Sequence, residues 1–324
     1  MSRVSPRSRV VALTAASAAV AAMVVVGLVL LQTGSTPAPA AGPQRRAGAP
    51  PLTLALGVRT DPEARAIRRA SSAYAAGKRA EAAREFGRWS SVEARVGQAF
   101  ARWPAETVDR LNRLAGLHPN RAVVELNLGV ALFWSGLAGA REAWRQAIAD
   151  EPDTAYAVTA GNLLHPEYAP GVPVFVATAP LPDGFDELAP PAQLRTLQRD
   201  ARQSVAGKLL YGSALQRLGM TRSAERVFAA AARAAPHDVD ARVADAVGRF
   251  DKARPADAFS RLGPLTKTFP RSATVRFHLG LLLLWSGQAQ EAKRQLTKAI
   301  AVEPSSPLAG QARRYLAELH KAGV

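Results

Sequence analysis

The side chains able to carry chemistry are few and are scattered along the chain. No histidine stands at metal-ligand spacing from another histidine or from a carboxylate. With no cysteine, zinc fingers, iron–sulfur clusters, thiol nucleophiles and a lipoprotein anchor are excluded. The G-x-S-x-G, H-E-x-x-H and phosphate-binding glycine patterns are also missing from the sequence. We therefore expect no catalysis, no metal and no cofactor. The five histidines are His118, His165, His237, His278 and His320.

The charge balance is strongly basic, yet the basic residues are dispersed. The 324 residues carry 42 Lys+Arg against 26 Asp+Glu, for a net charge of +16, with 48% hydrophobic and 21% charged residues, as in an ordinary globular chain. A nucleic-acid interface would need a clustered basic face with base-stacking residues. We expect no nucleic-acid partner, and keep weak attraction to an anionic envelope polymer or lipid surface as an alternative.

An uncharged apolar stretch near the N-terminus predicts a membrane helix over residues 10–31. Its 22 residues are long enough to cross a hydrocarbon core of about 30 Å. Arg3, Arg7 and Arg9 precede it, so residues 1–9 should form a basic tail that stays in the cytoplasm and the rest should cross the membrane. The expected location is the cell membrane, single-pass, with the bulk of the chain extracytoplasmic.

The alternative is a cleaved signal peptide, which would release a secreted protein. A signal peptide has an apolar core of about 7–15 residues that ends close to its cleavage site. Here the apolar run is longer, and the A-x-A sequence Ala38–Ala40 lies well beyond it. The two lengths favour the uncleaved anchor.

Residues 32–60 are predicted to be a linker. Residues 32–51 contain mostly Pro, Gly, Ala and Thr, so they should form an extended spacer. Asp61, Pro62 and Glu63 then indicate a helix start, because an Asp cap, a Pro at the first position and an acid near the positive end of the dipole all favour one.

A repeat with a period of 34 residues is the strongest signal in the sequence. It is marked by Pro236, Pro270 and Pro304. The units closed by Pro236 and Pro304 each have a large apolar residue followed by Gly, a turn Gly and a small residue opposite a large one in the second helix. An upstream unit is directly similar to the last one, with LGVALFWSG at 128–136 against LGLLLLWSG at 279–287.

This pattern resembles the tetratricopeptide repeat family, over about 240 residues. The resemblance implies an all-α fold, a right-handed superhelical solenoid of antiparallel helix pairs, preceded here by one transmembrane helix. It predicts N-terminal repeats over 61–152 with 122–152 the clearest, three units over 205–304 and a capping helix over 305–324. The middle unit of the three is degenerate, with Asp245 and Arg249 at positions that should be apolar.

Residues 153–204 form an irregular repeat with a proline-rich insertion at 165–191, where seven prolines exclude continuous helix. Its GVPVFVATAP sequence could be an extended arm or an edge strand. One interpretation is a surface insertion or a joint between two halves of the solenoid. The other is a partner-binding arm, because long proline-rich loops are often functional.

The resemblance also implies a concave groove, lined by first-helix positions, that holds a protein or peptide partner. The candidates are strongly apolar and aromatic, as binding hot spots are, although such residues can equally fill the seam between repeats. They lack the Lys/Asn pattern that some family members use to hold a C-terminal carboxylate. The candidates are Leu126, Val130, Phe133, Trp134, Phe277, Leu281, Leu284 and Trp285; Ala206, Leu209, Ser213, Gln216 and Arg217 hold the corresponding positions of another unit.

The function expected from these features is a membrane-anchored, extracytoplasmic scaffold that binds a protein or peptide partner without catalysis. Two alternatives stay open. One is an electrostatic module that binds an anionic cell-envelope polymer or lipid surface. The other is an accessory subunit of an envelope enzyme complex.

Overall fold

A computed structural model describes residues 45–323, and every regular element within that range except one short 3-10 helix is an α-helix. This confirms the all-α prediction for the described part of the chain. No helix there combines the length and apolarity needed to cross a membrane. The predicted anchor, 10–31, and the basic tail, 1–9, lie outside the described residues.

The contacts divide the described chain into two compact units, residues 45–164 and residues 165–323. The N-terminal unit contains α1 to α7 and the C-terminal unit contains α8 to α15. In chain order they are α1 (Pro62–Ala75), α2 (Arg79–Phe86), α3 (Val92–Ala101), α4 (Thr107–Leu117), α5 (Ala122–Ser135), α6 (Ala140–Asp150), α7 (Ala155–Leu164), α8 (Pro190–Gln203), α9 (Val205–Arg217), α10 (Thr221–Ala234), α11 (Val239–Gly248), α12 (Ala256–Thr268), α13 (Ala273–Trp285), α14 (Ala289–Val302) and α15 (Pro307–Lys321).

Side-chain caps fix where several helices begin. Asp61 accepts a hydrogen bond from the Ala64 amide at 2.9 Å, with Pro62 in the first helical position, as the sequence predicts. Ser204 and Ser306 cap α9 and α15 in the same way. Each cap satisfies an amide that the helix itself leaves unpaired, so the helix starts follow directly from the sequence.

Helix pairs stack in the order that the resemblance predicts. Short turns join α1 to α2, α5 to α6, α9 to α10 and α13 to α14, so the helices of a pair run antiparallel. In the N-terminal unit the first helices also pack on one another, α1 on α3, α3 on α5 and α5 on α7. In the C-terminal unit α9, α11, α13 and α15 do the same. We call the surface formed by these first helices the inner face of each unit.

Close approach within a pair depends on the predicted small residues. A Cβ on Gly129 would lie 2.4 Å from Trp144, and a Cβ on Gly212 would lie 2.3 Å from Phe228. Either distance is far below van der Waals contact, so only glycine lets the two helices pack at this separation.

The degenerate middle unit compensates for its missing apolar residues with an ion cluster. Asp245 of α11 is almost fully buried and binds Arg249 at 3.1 Å and Arg261 of α12 at 3.2 Å. Arg249 also bridges to Glu225 of α10 at 3.2 Å. A buried carboxylate is tolerated only when it is paired in this way, so these residues join three helices where apolar packing would otherwise do so.

The proline-rich region begins where the two units divide. Residues 165–191 contain the short 3-10 helix Phe185–Glu187 and otherwise irregular chain, and α8 starts at Pro190. The GVPVFVATAP sequence is extended but does not pair as a strand. It is more than a surface insertion, because the Phe175 side chain is fully buried in the core of the C-terminal unit.

Candidate functional site

The inner face of the N-terminal unit holds an extended segment of the same chain, residues 46–56, which we call the N-terminal strap. The Arg46 amide donates to the carbonyl of Trp134 at the end of α5, at 2.8 Å. Further along, the Thr53 amide donates to Asn127 Oδ1 at 3.2 Å, and Asn127 Nδ2 donates back to the Thr53 carbonyl at 3.0 Å. The predicted linker therefore differs from the structure over its last residues, which pack on the helices.

Two tyrosines complete this contact from opposite ends of the unit. The Tyr74 hydroxyl, on α1, donates to the Pro50 carbonyl at 2.6 Å. The Tyr156 hydroxyl, on α7, lies 3.1 Å from the Ala55 amide and 3.2 Å from its carbonyl. Burial raises the pKa of Tyr74 to about 12 and also raises that of Tyr156, so both phenols stay protonated and able to donate.

Two of the four predicted groove residues of α5 lie in the core, and the other two contact the strap. Leu126 and Val130 are buried in the core of the unit. Phe133 and Trp134 are half-buried, and the Arg46 guanidinium stacks on them at 4.0 Å and 5.3 Å from the ring centroids. Such cation–π contacts stabilise an exposed pair by roughly 0.5–1 kcal/mol. The strap therefore covers the apolar end of the face.

The inner face of the C-terminal unit holds a second extended segment, residues 169–178, the C-terminal strap. Its Ala169 amide donates to the carbonyl of Trp285, at the end of α13, at 3.2 Å. The Phe175 amide donates to Gln216 Oε1 at 2.8 Å, and its carbonyl accepts from the Ser213 hydroxyl at 2.8 Å. These two partners belong to α9, whereas Trp285 belongs to α13. This strap therefore also spans several helix pairs.

Phe175 supplies the deepest side-chain contact of that strap. Its ring is fully buried, 5.6 Å from the ring of Phe228 in an edge-on arrangement, and is stacked on His278 at 4.7 Å. Burying a ring of this size stabilises a fold by roughly 2–3 kcal/mol. Phe175 is therefore the largest buried side chain of a segment that is otherwise held through its backbone and through smaller apolar residues.

His278 is fully buried and its hydrogen bonds define its tautomer. Its Nδ1 lies 2.8 Å from the Thr274 carbonyl, which can only accept, so Nδ1 carries the proton. Its Nε2 accepts from the Val176 amide at 2.9 Å. Burial lowers the pKa of His278 to about 4, against the opposing effect of the Thr274 hydrogen bond. The ring is therefore neutral near pH 7, which is the state that can accept the strap amide.

Lys252 holds the beginning of the C-terminal strap. Its buried ammonium donates to the Ala169 carbonyl at 2.6 Å. Burial lowers the pKa of Lys252 to about 8, while the charge of Glu167 acts in the opposite direction. Trp285 adds a hydrogen bond from Nε1 to the Pro170 carbonyl at 3.2 Å.

The four predicted groove residues of α13 are buried in the core of the C-terminal unit. Phe277, Leu281, Leu284 and Trp285 are each at most 3% exposed. This placement matches the interpretation in which such residues fill seams between elements. The part that these side chains take in partner binding stays a prediction.

In the repeat closed by Pro236, whose predicted groove positions are less apolar than the others, two side chains make polar contacts to the C-terminal strap. Ser213 and Gln216 were predicted as groove positions, and both bind the C-terminal strap. Leu209, from the same set, packs in the core. Arg217 is half-buried, and burial lowers its pKa.

Apart from Ser213 and Gln216, sequence reasoning missed the polar residues that hold the straps. Asn127 and His278 are fully buried polar residues in apolar helices, and Tyr74, Tyr156 and Lys252 are also buried. A polar residue at a buried helical position needs a partner, so its presence in an apolar helix was a signal for a bound polar group. Nothing in the local pattern identified that group as the backbone of another segment.

Among residues 45–323, no set of three His, Asp or Glu side chains is arranged to hold a metal ion.

Comparisons with known proteins give only a distant likeness. No family model and no curated protein sequence matches the chain. Among solved structures, a tetratricopeptide repeat protein from Parabacteroides merdae aligns with 78% of this chain and 98% of its own, at 11% identity and a TM-score of 0.32. A likeness at that level carries no weight for function. The stacking of helix pairs is instead established by the contacts of the chain itself.

Proposed function

We propose that the chain is a non-catalytic scaffold whose helical units bind a protein partner through an extended segment of that partner. One observation carries this proposal: each inner face already binds an extended segment, mainly through backbone amides and carbonyls. A surface with buried amide, hydroxyl and imidazole groups directed at backbone is suited to peptides, because every peptide offers the same backbone groups.

The proposed location is the outer side of the cell membrane, with residues 10–31 as the anchor. This rests on the length and charge flanks of the apolar stretch. A membrane-bound repeat array would present its inner faces to partners in the envelope.

Site-specific crosslinking in native membranes tests the proposal. A photoreactive amino acid placed at Trp134 of α5 or Arg217 of α9, both half-buried on the inner faces, would stay in place when a partner replaces a strap. The same group at Arg145, exposed on the second helix α6, is the matched control. We expect both inner positions to capture the same protein and the control position not to capture it. Equal capture at all three positions, or none at any, would contradict the proposal.

Salt separates this function from the electrostatic alternative. Binding to an anionic polymer through dispersed arginines should fall steeply between low and physiological salt. A partner held by backbone hydrogen bonds and apolar contacts should crosslink with nearly the same yield over that range. A collapse of the yield in salt would favour the polymer.

A further inference from the structure

The two straps begin in the same way. Arg46 and Ala169 each donate a backbone hydrogen bond to a tryptophan carbonyl, that of Trp134 at 2.8 Å and that of Trp285 at 3.2 Å. These tryptophans occupy the same position in the two similar sequences LGVALFWSG and LGLLLLWSG. The corresponding positions of the two units therefore hold the corresponding end of each strap.

Two residues further on, both straps contain Gly-x-Pro. These are Gly48-Ala49-Pro50 and Gly171-Val172-Pro173. The glycines have φ of 78° and 77°, a left-handed conformation that disfavours other residues. Both prolines are buried, and their carbonyls accept from α1 and α9 respectively, through the Tyr74 hydroxyl at 2.6 Å and Gln216 Nε2 at 3.4 Å.

The match continues to the seventh residue after the entry point. Thr53 binds Asn127, and Val176 binds His278. Asn127 and His278 immediately precede the two similar sequences, so they are again corresponding positions. The residue before each contact, Leu52 or Phe175, packs against the core of its unit.

From these correspondences we propose that each inner face is a recognition site for an extended Gly-x-Pro-x-Φ segment, in which Φ is a large apolar residue. The chain's own straps occupy the two sites, and the partner of the scaffold presents the same motif and exchanges with a strap. This inference rests on the proposed function and specifies the chemistry of its ligand.

Each position of the motif has a physical role. Glycine permits the left-handed turn, proline disfavours helix and needs no amide partner, and Φ fills the apolar site. The remaining hydrogen bonds are made to backbone and do not depend on the type of side chain. Selectivity therefore resides in three residues of the ligand.

A tethered strap is a strong competitor, because a segment on a short connection reaches an effective concentration in the mM range. A free peptide should therefore bind more tightly once the strap has been weakened. Phe175→Ala weakens the C-terminal strap by removing its one fully buried ring while leaving the residues of the site intact.

The test uses the full chain carrying Phe175→Ala and a fluorescent peptide with the sequence of residues 168–179. We expect binding at least about tenfold tighter than to the wild type, together with a rise in the thermal midpoint, because the peptide restores the missing ring. Peptides carrying Phe175→Ala or Gly171→Ala are the controls, and each should bind at least about fivefold more weakly. The proposal is overturned if the folded variant binds none of these peptides, or binds all of them equally.

A second variant covers the case in which Phe175→Ala does not fold. Leu52→Ala removes a half-buried residue from the N-terminal strap, and a peptide of residues 45–56 is its probe. The same gain in binding is expected, with the same controls at Leu52 and Gly48. Absence of binding to this folded variant would overturn the motif for the N-terminal site.

Light scattering distinguishes a partner from a second copy. If straps were exchanged between two copies, the wild type would be a dimer, and the partner interpretation would be overturned. Failure of the peptide tests with inner-face crosslinking intact would remove the motif but leave the scaffold function standing. Success of the peptide tests with no crosslinked protein would keep the motif and remove the scaffold function.

Discussion

The polar residues buried on the inner faces are the most informative single residues in the molecule. Asn127 and His278 each lie in a mostly apolar helix, and each directs its polar atoms at the backbone of a strap. An unpaired buried group of this kind would cost about 1–3 kcal/mol. Their placement is therefore stable only while a strap, or a peptide that replaces it, is bound.

His278 makes the C-terminal unit sensitive to acid. Because burial lowers its pKa to about 4, the folded state binds fewer protons than the unfolded state below the ordinary value of about 6.5. The contribution of the neutral ring to the free energy of unfolding is complete above pH 6.5 and is lost as the pH falls towards 4. The total loss is about 3 kcal/mol at most. We expect urea midpoints at pH 7.5 and pH 4.5 to differ less in His278→Gln than in the wild type.

The matched control for that measurement is His237→Gln, since His237 is exposed after α10. It should keep the wild-type dependence on pH. Protection of the Val176 amide from hydrogen exchange, relative to an unfolded amide at the same pH, should be high at pH 7.5 and lost at pH 4.5. This result would assign the effect to the strap. An unchanged pH dependence in His278→Gln would contradict the assignment.

At the scale of the helix pair, the distance of closest approach determines which substitutions are tolerated. Gly212→Ala would place a Cβ 2.3 Å from the Phe228 ring, so we expect a loss of about 1–3 kcal/mol in the free energy of unfolding. Gly161, within α7, has no atom of another residue, its chain neighbours and helix backbone aside, within 4 Å of an added Cβ. Gly161→Ala should instead stabilise the chain by roughly 0.5–1 kcal/mol, since alanine is the better helix former.

Urea unfolding of the two variants beside the wild type measures both values. Opposite signs are expected from the same chemical change at two helical glycines. A loss of similar size at both positions would show that backbone entropy, rather than contact with Phe228, controls the effect.

The helices were predictable from the sequence, whereas the straps were not. The 34-residue spacing, the turn glycines and the small-to-large pairs located the helices of 205–304 and the capping helix, because helical periodicity is written in the side chains. Residues 46–56 were predicted to be part of a linker. Their hydrogen bonds to the helices are made through backbone groups, which every sequence has and no composition reveals. In the 165–191 insertion, Phe175 was one apolar residue among prolines, and its burial depends on helices more than 30 residues away.

At the scale of the whole molecule, the proposed anchor determines where the scaffold acts. Placing two arginines near the middle of the apolar stretch, with Val20→Arg and Ala22→Arg, should cost about 2.5–3.5 kcal/mol for each charge. We expect the wild type to stay in the membrane pellet after an alkaline wash and this variant to be released. Gly42→Arg with Gln44→Arg, outside the stretch and beyond Ala38–Ala40, is the control and should stay in the pellet.

Sequencing the N-terminus of the mature protein completes the test. An intact N-terminus in the pellet agrees with an uncleaved anchor. A soluble protein that begins beyond residue 40 would show a cleaved signal peptide and a secreted scaffold.

The straps have a further consequence for how the units unfold. A repeat array with contacts only between neighbouring pairs loses its ends first, since nothing connects the first pair to the last. Here Tyr74 near one end and Tyr156 at the other bind the same short segment, and contacts between residues 101 or more positions apart recur in both units. Detaching a terminal helix therefore also disrupts the segment that the other helices share. Each unit should resist fraying and melt cooperatively, at the expense of slower folding, because its last contacts close the longest loops.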